Sequence, residues 1–228
     1  MKAERVAGVL FFVSTGAFLV GSGILDPILH RTDILVGVGS DRTSLFVGGF
    51  LEFINAIAVV GIAMLLHPTL KKYHEAFAFG YFASRVMESA ILMISLIGPL
   101  LLLALSQQSV SAGVTGDAYQ QTLGSLVVET HELLFDIAML VLSVGSLLFC
   151  SILYQSRLVP RWLSVIGFIG YASLLASSFL SLGGLDAVGI LYLPGAIFEI
   201  VLPVWLILKG FQLQLPVSAS VSSERTHR

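Results

Sequence analysis

Six apolar runs, nearly free of charge, recur along this chain at residues 6–25, 45–66, 76 to about 105, about 124 to 154, 162–182 and about 188 to 208. A hydrocarbon layer of about 30 Å takes roughly 20 helical residues to cross, and each run reaches that length. Within lipid a backbone amide finds no water, so only helices and closed barrels satisfy their own hydrogen bonds, and these runs lack the alternation of barrel strands. The sequence therefore predicts an all-α, polytopic membrane protein of six transmembrane helices over residues 1–212, followed by a short, polar, disordered tail over 213–228. Asp26-Pro27 and His67-Pro68 are expected to close the first two spans, while the third and fourth runs are long enough to tilt or project. The first run exceeds the roughly 7 to 15 apolar residues of a cleavable signal and reads as a retained span.

Composition narrows the classes further. Only 11% of residues are charged and 56% are hydrophobic, against about a quarter charged in soluble domains. No soluble domain is left over, and the lipid bilayer is the first expected partner. With a net charge of −2 and no basic block, no nucleic-acid partner is expected. The single cysteine, Cys150, lies in an apolar run and reads as a small packed residue.

Orientation follows from Lys and Arg, which cytoplasmic loops retain. Lys2, Arg5, Lys71, Lys72, Arg157, Arg161, Lys209, Arg225 and Arg228 fall on one side, nine of the 12 basic residues. Arg31 and Arg42 lie opposite, beside Asp26, Asp33 and Asp41. Both termini are accordingly expected in the cytoplasm. Arg85 falls inside the third span.

Taking each span's midpoint as the bilayer centre, Glu52, Glu88, Asp136 and Glu199 all lie within about 5 Å of it at 1.5 Å per residue. An ionised group at that depth costs about 2.5 to 3.5 kcal/mol even on the lenient insertion scale. Turning the four acids toward one another and toward Arg85 is cheaper than exposing each to lipid. The expectation is one polar cavity between spans two, three, four and six, lined by Glu52, Asn55, Arg85, Glu88, Glu132, Asp136 and Glu199, with spans one and five as uncharged supports. Four carboxylates against one guanidinium leave an excess of negative charge, which demands bound protons or a cationic ligand. A rival placement takes the uncharged stretch 137–156 as the fourth span and leaves Glu129 to Asp136 at the outer interface, where carboxylates need no role.

The segment Glu129-Thr130-His131-Glu132-Leu133-Leu134-Phe135-Asp136 fails as a zincin motif, because Phe135 stands where the second histidine belongs. His131, Glu132 and Asp136 still form a candidate set for a divalent metal ion, met by an acid across the bundle. Haem and retinal readings lack, respectively, deep histidines in several spans and a mid-membrane lysine in the last one.

Arg5-Val6-Ala7-Gly8, Arg85-Val86-Met87-Glu88-Ser89, the stretch from His131 to Asp136, and Val159-Pro160-Arg161-Trp162 together resemble a bacterial family of small integral membrane proteins described as domain of unknown function 4386. The resemblance extends over most of residues 1–212. It implies a multi-span helical fold in a bacterial inner membrane, and it implies no reaction. On the residues themselves, the leading expectation is binding or transport of a proton, cation or small molecule at the carboxylates. A six-helix chain is small for a transporter, which admits a homo-oligomer. The alternatives are a metal-dependent intramembrane hydrolase and a sensor or accessory protein whose polar core is structural.

Overall fold

A computed structural model describes residues 3–31, 35, 38–39, 41–111, 118–185 and 189–212. They form helices α1 (Ala3–Leu29), α2 (Arg42–Leu70), α3 (Glu75–Ser95), α4 (Ile97–Ser111), α5 (Ala118–Ser156), α6 (Arg161–Leu182) and α7 (Leu193–Leu208), with a 3-10 turn at Gly189–Tyr192. There are no strands among the described residues. The tail expected to be disordered lies outside them.

α1, α2, the α3–α4 run, α5 and α6 are each long and apolar enough to cross a membrane. The protein is an integral membrane protein by this measure. α7 has 16 residues, about 24 Å at 1.5 Å per residue. It is shorter than expected because its first turn is spent in the 3-10 segment.

The helices close into a ring. α1 packs on α2, α2 on α3, α3 on α5, α5 on α6 and α6 on α7, and α7 returns to α1, while α4 rests on α5. One end of the interior is filled by Phe11, Ile62, Leu66, Tyr81, Phe149 and Phe198 among others, the opposite end by Leu25, Leu29, Leu45, Leu102 and Val128. Outside, large apolar side chains such as Leu19, Phe46, Met64, Phe79 and Leu208 stand exposed. In water such a surface would bind or aggregate; it suits helices long and apolar enough to cross a membrane.

Small residues bring the helices close, as expected where packing between helices has no help from water. A Cβ on Gly170 of α6 would sit 2.7 Å from the backbone N and Cα of Gly195 on α7. Gly145 of α5 likewise leaves the space that Ser84 of α3 occupies.

Proline placement departs from expectation at two points. Neither Pro27 nor Pro68 ends its helix at the preceding residue: α1 continues to Leu29 and α2 to Leu70. A proline removes one intrahelical bond, and the next turn closes around it, with His30 N–H donating to the Asp26 carbonyl (3.1 Å) and Lys71 N–H to that of His67 (2.9 Å). The third span, where Pro99 is expected to kink the helix, is interrupted at Leu96 between α3 and α4. Pro99 has no N–H for the carbonyl of Ser95, four residues earlier, so the helical ladder loses a rung there.

Candidate functional site

Arg85 and Glu88 sit one turn apart on α3, so both project to the same face of that helix. That face looks into the ring. Arg85 is 4% exposed and Glu88 2%, and Arg85 Nη1 donates to Glu88 Oε2 at 2.8 Å. From α7, Glu199 comes within electrostatic range of both. Its Oε1 accepts a hydrogen bond from the Tyr171 hydroxyl of α6 at 3.2 Å. The guanidinium carbon lies 6.0 Å from the centre of the Tyr81 ring.

Aromatic packing seals this cluster. Tyr81 stacks on Phe149 of α5 at 4.7 Å between centroids, and Tyr171 meets Phe198 of α7 edge-on at 5.6 Å. Cys150 is also fully buried nearby, packed against the bare Cα of Gly167. The polarity is incompletely matched: the Arg85 Nε–H is buried and has no hydrogen-bond partner. Arg85 is bonded to Glu88 alone, while half-buried Glu199 adds a second carboxylate within electrostatic range in a medium that stabilises charge poorly.

The expected single cavity is divided. Glu52 of α2 is half-buried and its charge neighbour is Asp26, near the end of α1. Asn55, one turn on, accepts a hydrogen bond from Ser14 Oγ of α1 at 2.5 Å. Glu52, Asn55, His131 and Ser95 line a cleft of about 10 Å³ together with Phe18, Leu92 and Phe135, room for about one water molecule. Asp136 turns a third way, its Oδ2 accepting from Ser181 Oγ of α6 at 2.5 Å. The physical reason is angular: the acids are alike in depth, but a ring of helices presents each helix's inner face in a different direction.

The metal set His131, Glu132 and Asp136 does not assemble. His131 Nδ1 lies 2.9 Å from the carbonyl of Ser95, the acceptor that Pro99 leaves without its helical donor. Glu132 is 51% exposed and its Oε1 lies 2.8 Å from His30 Nε2 at the end of α1. Asp136 goes to Ser181. No group of three His, Cys, Asp or Glu that could hold a metal ion occurs among the described residues. Glu132 thus belongs to the rim, as in the rival placement, while Asp136 lies one turn deeper.

At that rim, His30 Nδ1 also lies 3.0 Å from the Asp26 carbonyl. Both ring nitrogens face acceptors, a pattern that favours the imidazolium. Its pKa is raised, chiefly by that backbone carbonyl and further by Glu132, against an opposing effect of burial.

Sequence reasoning missed Tyr171, Tyr81, Ser14 and Ser181. Spans one and five were expected to be bare supports, yet α1 supplies Ser14 and α6 supplies Tyr171 and Ser181. Hydroxyls cost little in an apolar run, so charge alone did not flag them. Their spacing from the acids is a property of the ring.

A family model described as Domain of unknown function (DUF4386) matches residues 6–210. The chain belongs to this family. The matched region takes in all seven helices apart from the first turn of α1, together with both carboxylate clusters. No curated protein and no solved structure matched the chain.

Proposed function

We propose that this DUF4386 protein binds and releases a proton within the membrane, at Glu88 and Glu199 around Arg85. The observation that carries the reading is one guanidinium between two carboxylates: buried Glu88, hydrogen-bonded to Arg85, and half-buried Glu199, within electrostatic range of it, give the three groups a formal charge of −1. An excess charge in low dielectric is neutralised by a proton or a cation. Tyr81, Phe149, Tyr171 and Phe198 fill the surroundings of the cluster, and a proton is the neutralising species that needs no added volume. The groups facing the site are Tyr81 from α3, Cys150 from α5, Tyr171 from α6 and Glu199 from α7. The Tyr171 hydroxyl is a ready donor to Glu199 when that carboxylate is ionised.

Both termini face the cytoplasm in this reading. The start of α1 and the end of α7 lie together, since a Cβ on Gly210 would meet Glu4 Oε1 at 3.3 Å. Gln212 N–H donates to the Leu158 carbonyl at 2.8 Å, which brings the Arg157 and Arg161 turn to the same end, with Lys209 alongside. That concentration of positive charge belongs in the cytoplasm, here of a bacterium with the protein in its inner membrane. The sixth crossing is completed by the 3-10 turn, which adds about 8 Å to the 24 Å of α7.

The test is infrared difference spectroscopy of the protein in lipid nanodiscs, titrated from about pH 5 to pH 9. A protonated carboxyl C=O band should appear and be removed by Glu199→Gln or Glu88→Gln. A wild-type spectrum without a band assignable to either residue at any pH would sink the reading.

A further inference from the structure

α1 and α5 are not neighbours in the ring, yet two side-chain pairs join them at the end opposite the cytoplasmic charges. At the rim, His30 Nε2 meets Glu132 Oε1 at 2.8 Å. Deeper, Phe18 and Phe135 stack at 5.7 Å with their planes 4° apart. The same two rings wall the cleft of Glu52 and His131.

Inside that cleft the polar groups are set for a small occupant. The Nδ1–H of His131 donates to the Ser95 carbonyl at 2.9 Å, so in the neutral ring Nε2 is the acceptor. Asn55 is held by Ser14. The Glu52 carboxylate has no hydrogen-bond or ion-pair partner among the described residues. Its stem lies against α1 where Gly21 lacks a side chain, 3.2 Å from the position a Cβ would take. An unpartnered carboxylate in apolar surroundings is costly unless it is protonated or bridged by water.

We propose that Glu52 and His131 form a second proton-accepting site around one water molecule, walled on its inner side by the Phe18–Phe135 stack and met at the outer rim by the His30–Glu132 pair. The site stands independently of the Arg85 cluster. The charged and titratable groups around it are few: Asp26 from α1 near Glu52, His131 from α5, and at the rim His30, Glu132 and Glu129, with Arg31 held by Asp41 at 2.6 Å. Uptake moves one proton from a solvent hydronium ion, relayed through the bridging water, to the Glu52 carboxylate, leaving neutral water behind, with His131 Nε2 as the alternative acceptor. No bond other than O–H or N–H changes.

Deuterium exchange of the protonated carboxyl band, followed by infrared spectroscopy on the full chain in nanodiscs, tests both parts. Glu52→Gln should remove one band and leave the band sensitive to Glu199→Gln in place, so that this site and the Arg85 cluster succeed or fail separately. Phe135→Ala and His30→Asn should each speed exchange of the Glu52 band, Phe135→Ala by roughly tenfold given the strength of an aromatic pair. Phe135→Leu, which keeps much of the bulk but loses the ring stack, should exchange at a rate between wild type and Phe135→Ala. If no band responds to Glu52→Gln, the site is refuted. If the band exchanges equally fast in wild type, Phe135→Ala and His30→Asn, the roles of the stack and the rim pair are refuted.

Discussion

Replacing Arg85 by methionine isolates the electrostatic problem at the centre of the ring. Methionine keeps most of the apolar stem, so the change removes a charge without opening a large void. Glu88, 2% exposed, then loses its 2.8 Å partner, and Glu199 keeps only the Tyr171 hydroxyl at 3.2 Å. Breaking a buried pair from one side typically costs about 3 to 5 kcal/mol, because a desolvated charge is stranded. That is roughly two to three and a half orders of magnitude in the unfolding constant. The double variant Arg85→Met with Glu88→Met removes both charges, and replacing a buried pair by apolar groups of similar volume is often neutral or stabilising. It should therefore lie within about 1 kcal/mol of wild type or above it. The assay is reversible unfolding in mixed micelles, read by the fluorescence of Trp162 and Trp205. An Arg85→Met variant as stable as wild type, or a double variant whose loss is the sum of the two singles, would refute the argument that the pair is an obligate unit.

Other sites give sharper local tests. His131→Ala should cost about 1 to 3 kcal/mol by orphaning the Ser95 carbonyl, and Pro99→Ala should restore much of it by returning an N–H to that carbonyl; a double-mutant cycle with no coupling would contradict this. Because the folded pKa of His30 is raised, its pairing with Glu132 should contribute fully below the ordinary histidine value near 6.5 and fade as pH rises through the raised value. The pair is 61% and 51% exposed, so the contribution is about 0.2 to 1 kcal/mol, and a pH scan of His30→Asn should be flatter than wild type. Gly170→Ala should destabilise by about 1 to 3 kcal/mol through its clash with Gly195. Gly16→Ala, where a Cβ meets nothing within 4 Å, should be neutral or gain up to about 1 kcal/mol in thermal unfolding.

The helical nature of the apolar runs and their order were written in local properties of the chain. Hydropathy acts over some twenty consecutive residues, so it needs no tertiary information. The i,i+3 spacing of Arg85 and Glu88 likewise made their pairing legible, since one helix sets it. What the sequence left undecided was direction around the ring. Glu52, Glu88, Asp136 and Glu199 share a depth, but rotation of each helix about its axis is fixed by close contacts such as Gly170 with Gly195 and Gly145 with Ser84. Those contacts send Asp136 to Ser181, Glu132 to His30 and His131 to the carbonyl that Pro99 orphans. Depth is a one-dimensional quantity that a sequence can carry; azimuth is set only when neighbouring helices pack.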